Sequence, residues 1–219
     1  MNRTLCRAGT TLAAATLSLA GLSGCEIFGV MADTFYKTGT HTVYAEYEGL
    51  DDASFAVFVA ADRVIQAQNP RLVPRLTTAI TAQLVAETGA VGYVPAPLIL
   101  DYTFNNPSWP ARPYSEIAEE LGVDRIIMID LFEHRLHERG NSYLWEGVIG
   151  GNIGIAEADG VFPDDFVYTK SIAVTFPDSE GYGPKDYSAD EINSVLERRF
   201  TNRVTWLFYE HEEDNDPRY

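Results

Sequence analysis

Cysteine is nearly absent from this chain of 219 residues, which has only Cys6 and Cys25. If Cys6 leaves with a leading segment, no internal disulfide can form in the remainder, and the fold has to rest on its apolar core. Basic residues are also scarce: 16 Lys and Arg stand against 32 Asp and Glu, a formal net charge of −16. A surface of that sign repels phosphate, which excludes nucleic acid as a partner. No uncharged apolar run reaches the roughly 20 residues that a membrane-spanning helix needs. Signatures of catalysis and cofactor binding are missing too. The chain has no Gly-x-Ser-x-Gly elbow, no Gly-Lys-Ser/Thr phosphate loop and no Gly-x-Gly-x-x-Gly turn, so no cofactor is expected.

What is present begins at the first residues. Arg3 and Arg7 form a basic flank, and Ala8 to Leu22 are uncharged. This stretch is too short to span a bilayer and fits a cleaved export signal. It ends in Leu22-Ser23-Gly24-Cys25, which resembles the bacterial lipobox. That resemblance implies cleavage before Cys25 and a diacylglyceryl group on its thiol, joined by an N-acyl chain. The competing reading is an ordinary export signal with an incidental Cys25, but such a site favours a small-x-small pattern. Cleavage would remove 24 of the 219 residues and leave 195, enough for one domain with a substantial core. Losing Arg3 and Arg7 leaves 14 basic against 32 acidic residues, a balance of −18. The expected organisation is a signal over 1–24, a lipid anchor and tether over 25–39, a single domain over 40–210 and an acidic tail over 211–219. Glu26, rather than Asp, follows the cysteine, which points to the outer membrane, facing the periplasm.

The later sequence reads as an α+β fold. His41–Tyr47 is rich in β formers and suits an edge strand. Phe55–Ala61 is continuously apolar, as in a strand covered on both faces. Leu72, Leu76, Ile80 and Leu84 repeat every four residues and predict a helix ending near Gly89, with Asn69-Pro70 as its start or Pro74 opening its regular part. Leu98-Ile99-Leu100 suits a short strand inside an otherwise irregular, proline-rich stretch. Tyr114–Leu121 is a short helix stopped by Gly122, and Val123–Phe132 is a second buried strand. Leu144–Ala156 is a strand interrupted by Gly147, Gly150, Gly151 and Gly154, which mark bulges or close packing. Tyr168–Phe176 alternates as a half-covered strand. Ser188 and Glu191 form a capping box before a helix carrying Ile192, Leu196, Phe200 and Val204. The expected order is β-α-β-α-β-β-β-α, with about five strands in one mixed sheet and three helices.

Few side chains suggest chemistry. His134 and His137 follow a strand, but residues three apart on an extended chain face opposite ways, so a solvated strand end is favoured over a metal site and no metal is expected. Asp130 interrupts an apolar strand. It is either a general base, in an enzyme that would use carboxylates such as Asp130 or Glu146, or a residue facing an edge or a partner. Tyr102, Phe104, Trp109 and Tyr114, with Arg112, are aromatics beside a guanidinium on a loop, the composition of a recognition patch. The competing reading is that they fold back over the sheet. Glu210, Glu212, Glu213, Asp214 and Asp216 lack the spacing of a calcium loop and read as a solvated tail.

The segment from Ser115 to Ile127, a small helix ending in Leu121-Gly122 and leading into a strand, resembles an element of the curli-secretion and penicillin-binding-protein-activator lipoproteins. The order of elements from about Ala53 to Tyr209 is similar to theirs. The resemblance implies a non-catalytic domain acting through protein contacts. The extra amphipathic hairpins of the pore-forming members have no counterpart here, which argues against a channel. The expected protein is thus a non-catalytic, lipid-anchored component of the cell envelope. It would be held to the membrane through Cys25 and meet a protein partner during envelope assembly or maintenance. A carboxylate-dependent periplasmic hydrolase and a small-ligand carrier with a cavity under Pro95–Pro113 are the alternatives.

Overall fold

A computed structural model of the protein describes residues 39–138 and 140–215. The signal, Cys25 and the tether to residue 38 lie outside these residues, as do residues 216–219. The described chain falls into two compact units. The smaller holds a two-stranded sheet of β1 (Thr40–Val43) and β7 (His211–Asp214). Gly39 O accepts from Asn215 N at 2.9 Å, and Thr40 Oγ1 donates to Glu212 at 2.5 Å. Two expectations change here. The early β-rich segment does not edge the main sheet, and His211–Asp214 are a strand rather than a loose tail. Their pairing joins residues about 170 apart in sequence, which local pattern does not reveal.

The larger unit, residues 43–211, is built on a five-stranded mixed sheet, an α+β arrangement as expected. Its strands are β2 (Ser54–Ala61), β3 (Gly92–Tyr93), β4 (Arg125–Arg135), β5 (Gly147–Glu157) and β6 (Phe166–Phe176), in the order β3-β2-β4-β5-β6. β2 runs parallel to β3 and β4, and β4, β5 and β6 are mutually antiparallel. Five α-helices accompany them where three were expected: α1 (Arg63–Gln68), α2 (Leu72–Glu87), α3 (Ala96–Asn105), α4 (Tyr114–Leu121) and α5 (Ala189–Thr205). α1 starts at Asp62, whose carboxylate accepts from Ile65 N at 2.7 Å. Asn69-Pro70 therefore lies between two helices and opens neither. Pro74 is the third residue of α2, where the missing N–H would have had no partner within the helix. Leu98–Leu100 is helical rather than extended, because Pro95 and Pro97 open α3 at its first turn. The capping box at Ser188 and Glu191 forms as read. Gly122, at φ 67°, ends α4 in the left-handed region.

One face of the sheet is fully covered. Leu72, Leu76, Ile80 and Leu84 of α2, and Ile192, Leu196, Phe200 and Val204 of α5, pack on Phe55, Val57, Ile127, Ile129, Ile153 and Val174. Gly147 and Gly151 permit this. A Cβ at Gly147 would sit 2.7 Å from Leu196, and one at Gly151 would sit 3.0 Å from Phe200. The opposite face is covered over only half its width. There α3, a 3-10 turn at Trp109–Ala111 and α4 bury Phe58, Ile99, Trp109, Ile117 and Ile126. Beyond β4 no helix continues this layer among the described residues.

His134 is not solvated. It is 8 % exposed, and its Nε2 lies 3.0 Å from Asn193 Oδ1 on α5. Burial holds its pKa below the usual histidine value, Asn193 opposes this, and the charge of Arg75 adds to it. The unfolded chain therefore binds this proton more tightly, so His134's contribution is complete above about pH 6.5 and is lost as pH falls below it. Glu197 has the opposite sign: burial raises its pKa, and its contribution fades as pH rises above the ordinary carboxylate range. The urea midpoint is expected to fall between pH 7.5 and 5.5, and His134→Gln is expected to flatten that fall. An unchanged slope in His134→Gln would contradict the assignment.

Candidate functional site

The uncovered half of the second face forms a groove of about 510 Å³. Its position follows from strand register. Met128 pairs with Gly154 and Asp130 with Asn152 across β4 and β5, and Asn152 pairs with Ser171 and Gly154 with Thr169 across β5 and β6. Alternation puts these six residues on the same face. The outward residues of β6, namely Thr169, Ser171, Ala173 and Thr175, are all exposed.

Two glycines on this face receive aromatic rings, and one of them, Gly154, lines the groove. A Cβ on Gly150 would lie 2.5 Å from the Phe132 ring, and one on Gly154 would lie 2.7 Å from the Phe166 ring. Each ring thus lies directly on glycine backbone. The sequence flagged these glycines as close packing but gave no indication of what approaches them. Phe132 stays 50 % exposed despite the contact. Phe166 packs on Tyr114 of α4, with ring centroids 5.0 Å apart and a 36° tilt. Asp164 fixes that contact. It accepts from Ser115 N at 2.9 Å and Ser115 Oγ at 2.8 Å, supplying the cap that Pro113 has no side chain to provide. These two bonds also hold the Asp164 carboxyl below its usual pKa.

Inside the groove Asp130 is exposed and has neither a hydrogen bond nor an ion pair among the described residues. The only cationic residue at the lining, Lys170, has its ammonium held by Glu46, 3.0 Å from each carboxylate oxygen. Ser171 Oγ donates to Asn152 Oδ1 at 2.5 Å. The Tyr114 hydroxyl is raised in pKa, first by burial and second by the charge of Asp130. In Asp130→Asn, Tyr114 is expected to titrate at lower pH in an ultraviolet titration. No movement would mean that the carboxylate does not face the ring.

The arrangement does not assemble a catalytic pair. Glu146 precedes Asn152, the register partner of Asp130, by six residues, so it lies roughly 20 Å away along the strand. Two carboxylates that share a substrate bond stand about 5–10 Å apart. Glu146 is bound instead to Arg135 Nη2 at 3.0 Å. Ser171 is bonded to an amide oxygen and not to a base, so nothing activates its hydroxyl. His137 stacks on Trp145 with centroids 4.3 Å apart and lies away from His134's partner Asn193. Among the described residues no three His, Cys, Asp or Glu side chains are grouped to hold a metal.

The aromatic segment before α4 divides. Trp109 is 7 % exposed and packs on Phe58 with centroids 4.9 Å apart. Trp109 is therefore no part of a surface patch and follows the competing reading, folded back over the sheet onto Phe58 of β2. This packing also occupies the space in which a ligand cavity under Pro95–Pro113 was considered. Arg112, Tyr102 and Glu120 form a surface cluster: Arg112 Nη1 donates to Tyr102 Oη at 2.9 Å, and Arg112 Nη2 to Glu120 Oε1 at 2.7 Å. Arg112 draws the Glu120 pKa down to about 2, and burial, with Glu120 next to it, raises that of Tyr102. Phe104, 84 % exposed, stands apart on α3. Of the five aromatic-patch residues, Tyr114 packs on Phe166, which lines the groove.

No protein-family model matches the chain, and no curated protein matches its sequence. Several solved structures are similar to it. A lipoprotein from Neisseria meningitidis is 11% identical over 69% of this chain and 97% of its own, with a TM-score of 0.46. A PelC dodecamer from Paraburkholderia phytofirmans is 13% identical over 78% of this chain and 97% of its own, also at 0.46. A DUF330 protein from Xanthomonas campestris is 11% identical over 75% of this chain and 84% of its own, at 0.47. No helix among the described residues is long and apolar enough to cross a membrane.

Proposed function

We propose that the protein is a non-catalytic, lipid-anchored component of the cell envelope that acts through protein contacts, with the bare half of its sheet as the docking face. Cys25 holds it to the outer membrane on the periplasmic side, and the segment to residue 39 reaches at most about 50 Å when extended. The observation that carries the reading is a sheet face whose helical layer stops at β4, with Phe132 and Phe166 exposed beyond it. Large aromatics on an open sheet mark an interaction surface more often than an accident of packing. The Leu22–Cys25 motif supports the anchor, and the likeness of Ser115–Ile127 to the curli-secretion and activator lipoproteins supports a role in envelope assembly or maintenance.

A photo-reactive amino acid at Ala173 or Thr175 tests the docking face in living cells. Both side chains are exposed on the bare face and touch none of the groove's polar groups. Discrete adducts are expected from these positions and none from Glu87, at the end of α2. Adducts no more abundant than those from Glu87 would remove the reading.

A further inference from the structure

We propose that the groove takes a cationic side chain, Arg or Lys, from an extended segment of the docked protein, seated against the Asp130 carboxylate and beside the Phe166 ring. This rests on the docking reading above and names the chemistry of its partner. Asp130 is a carboxylate with no ion-pair partner among the described residues, and the Lys170 side chain alternates to the opposite face, where Glu46 holds its ammonium. The Phe166 ring, which lines the groove, adds a second attraction specific to cations, effective within about 6 Å of a ring centroid. The groove's end adds to the negative field, because Asp164 and Asp165 directly precede Phe166. Asn152, Ser171 and Thr169 line the floor beside Asp130 and offer hydrogen bonds to the backbone of an extended segment.

Charge also separates the candidates for occupant. A second copy of the mature chain would bring a net charge of −18 against −18, and anionic lipid or nucleic acid is repelled in the same way. A divalent cation finds one carboxylate where it needs several ligands. A basic protein segment is the occupant for which both the lone charge and the aromatic ring are complementary.

Methionine labelling gives a direct readout. The chain has three methionines, Met1, Met31 and Met128. Cleavage at Cys25 would leave Met128 in the groove and Met31 in the tether as an internal control. Full-length mature protein in detergent, labelled with carbon-13 at the methionine methyls, is titrated with the blocked pentapeptide Thr-Val-Arg-Val-Thr. The same peptide with citrulline in place of Arg serves as the neutral probe. The Arg peptide is expected to shift Met128 saturably and leave Met31 in place. Its affinity is expected to exceed that of the citrulline peptide, and to fall in Asp130→Asn, by about five- to tenfold, the size of one partly screened ion pair with a cation–π contact. Asp130→Glu, which keeps the charge, is expected to restore most of the binding. Equal binding of both peptides, or no loss in Asp130→Asn, would overturn the cation site. Adducts from Ala173 that persist in Asp130→Asn would then show docking by other chemistry, whereas loss of adducts from the wild-type chain would remove the docking reading itself.

Discussion

Phe200→Ala is expected to destabilise the protein by about 3–5 kcal/mol, the range for emptying a fully buried aromatic site. Phe200 is wholly inaccessible, midway along α5, and its ring tip meets β5 at Gly151. The cavity cannot be refilled cheaply, because Leu196 and Val204 on either side are themselves fully buried in the same layer. Domains of this size are stable by only about 5–15 kcal/mol, so the variant would lose a large fraction of its stability. Phe104→Ala is the matched comparison. That ring is almost fully exposed on α3, and its removal is expected to change stability by less than about 0.5 kcal/mol. Urea unfolding measures both. A Phe200→Ala cost below about 1 kcal/mol would contradict the central place given to α5.

If Cys25 carries the proposed anchor, removing it is expected to move the protein from the membrane to the released periplasmic fraction. Each buried methylene contributes about 0.8 kcal/mol to membrane binding, and two or three acyl chains together hold a protein stably. The domain itself offers no substitute: its charge is strongly negative, and none of its described helices can span a bilayer. The clean experiment starts the mature chain at Glu26 behind a conventional cleavable export signal. Changing Cys25 alone can leave the uncleaved signal embedded. Recovery of the Glu26 version with the membrane pellet would mean that another surface binds the envelope.

The sequence made some of this legible and hid the rest for physical reasons. The strands around Phe58, Ile127 and Val174 and the helices carrying Leu76 and Phe200 were readable, because long periodic segments with one buried face override local ambiguity. The proline-rich stretch was misread at Leu98–Leu100, since three apolar residues satisfy either period and the deciding signal was Pro95 and Pro97 at a helix start. The burial of His134 depends on Asn193, 59 residues away, and no local spacing encodes that. For the groove, Asp130 stood out as a polar residue in an apolar strand, and the alternation over Tyr168–Phe176 identified an uncovered face. What the sequence did not show is that these belong together. The register of β4, β5 and β6 is set by irregularities at Leu131/Glu133 and Ile155/Ala156. Those shifts bring Asn152 opposite Asp130 and set the Phe166 ring over Gly154, so Phe166, Asn152 and Ser171 were not identified. For Trp109 the sequence leaves a patch and a cap both open, because aromatics near prolines suit either, and only packing against Phe58 distinguishes them.

The lipid proposed at Cys25 would determine where every other property acts, and intact mass spectrometry of the protein purified from membranes tests it directly. The predicted product begins at Cys25 and carries a diacylglyceryl group with an additional N-acyl chain. A chain beginning at Met1, or an unmodified thiol at Cys25, would contradict the anchor and with it the envelope address.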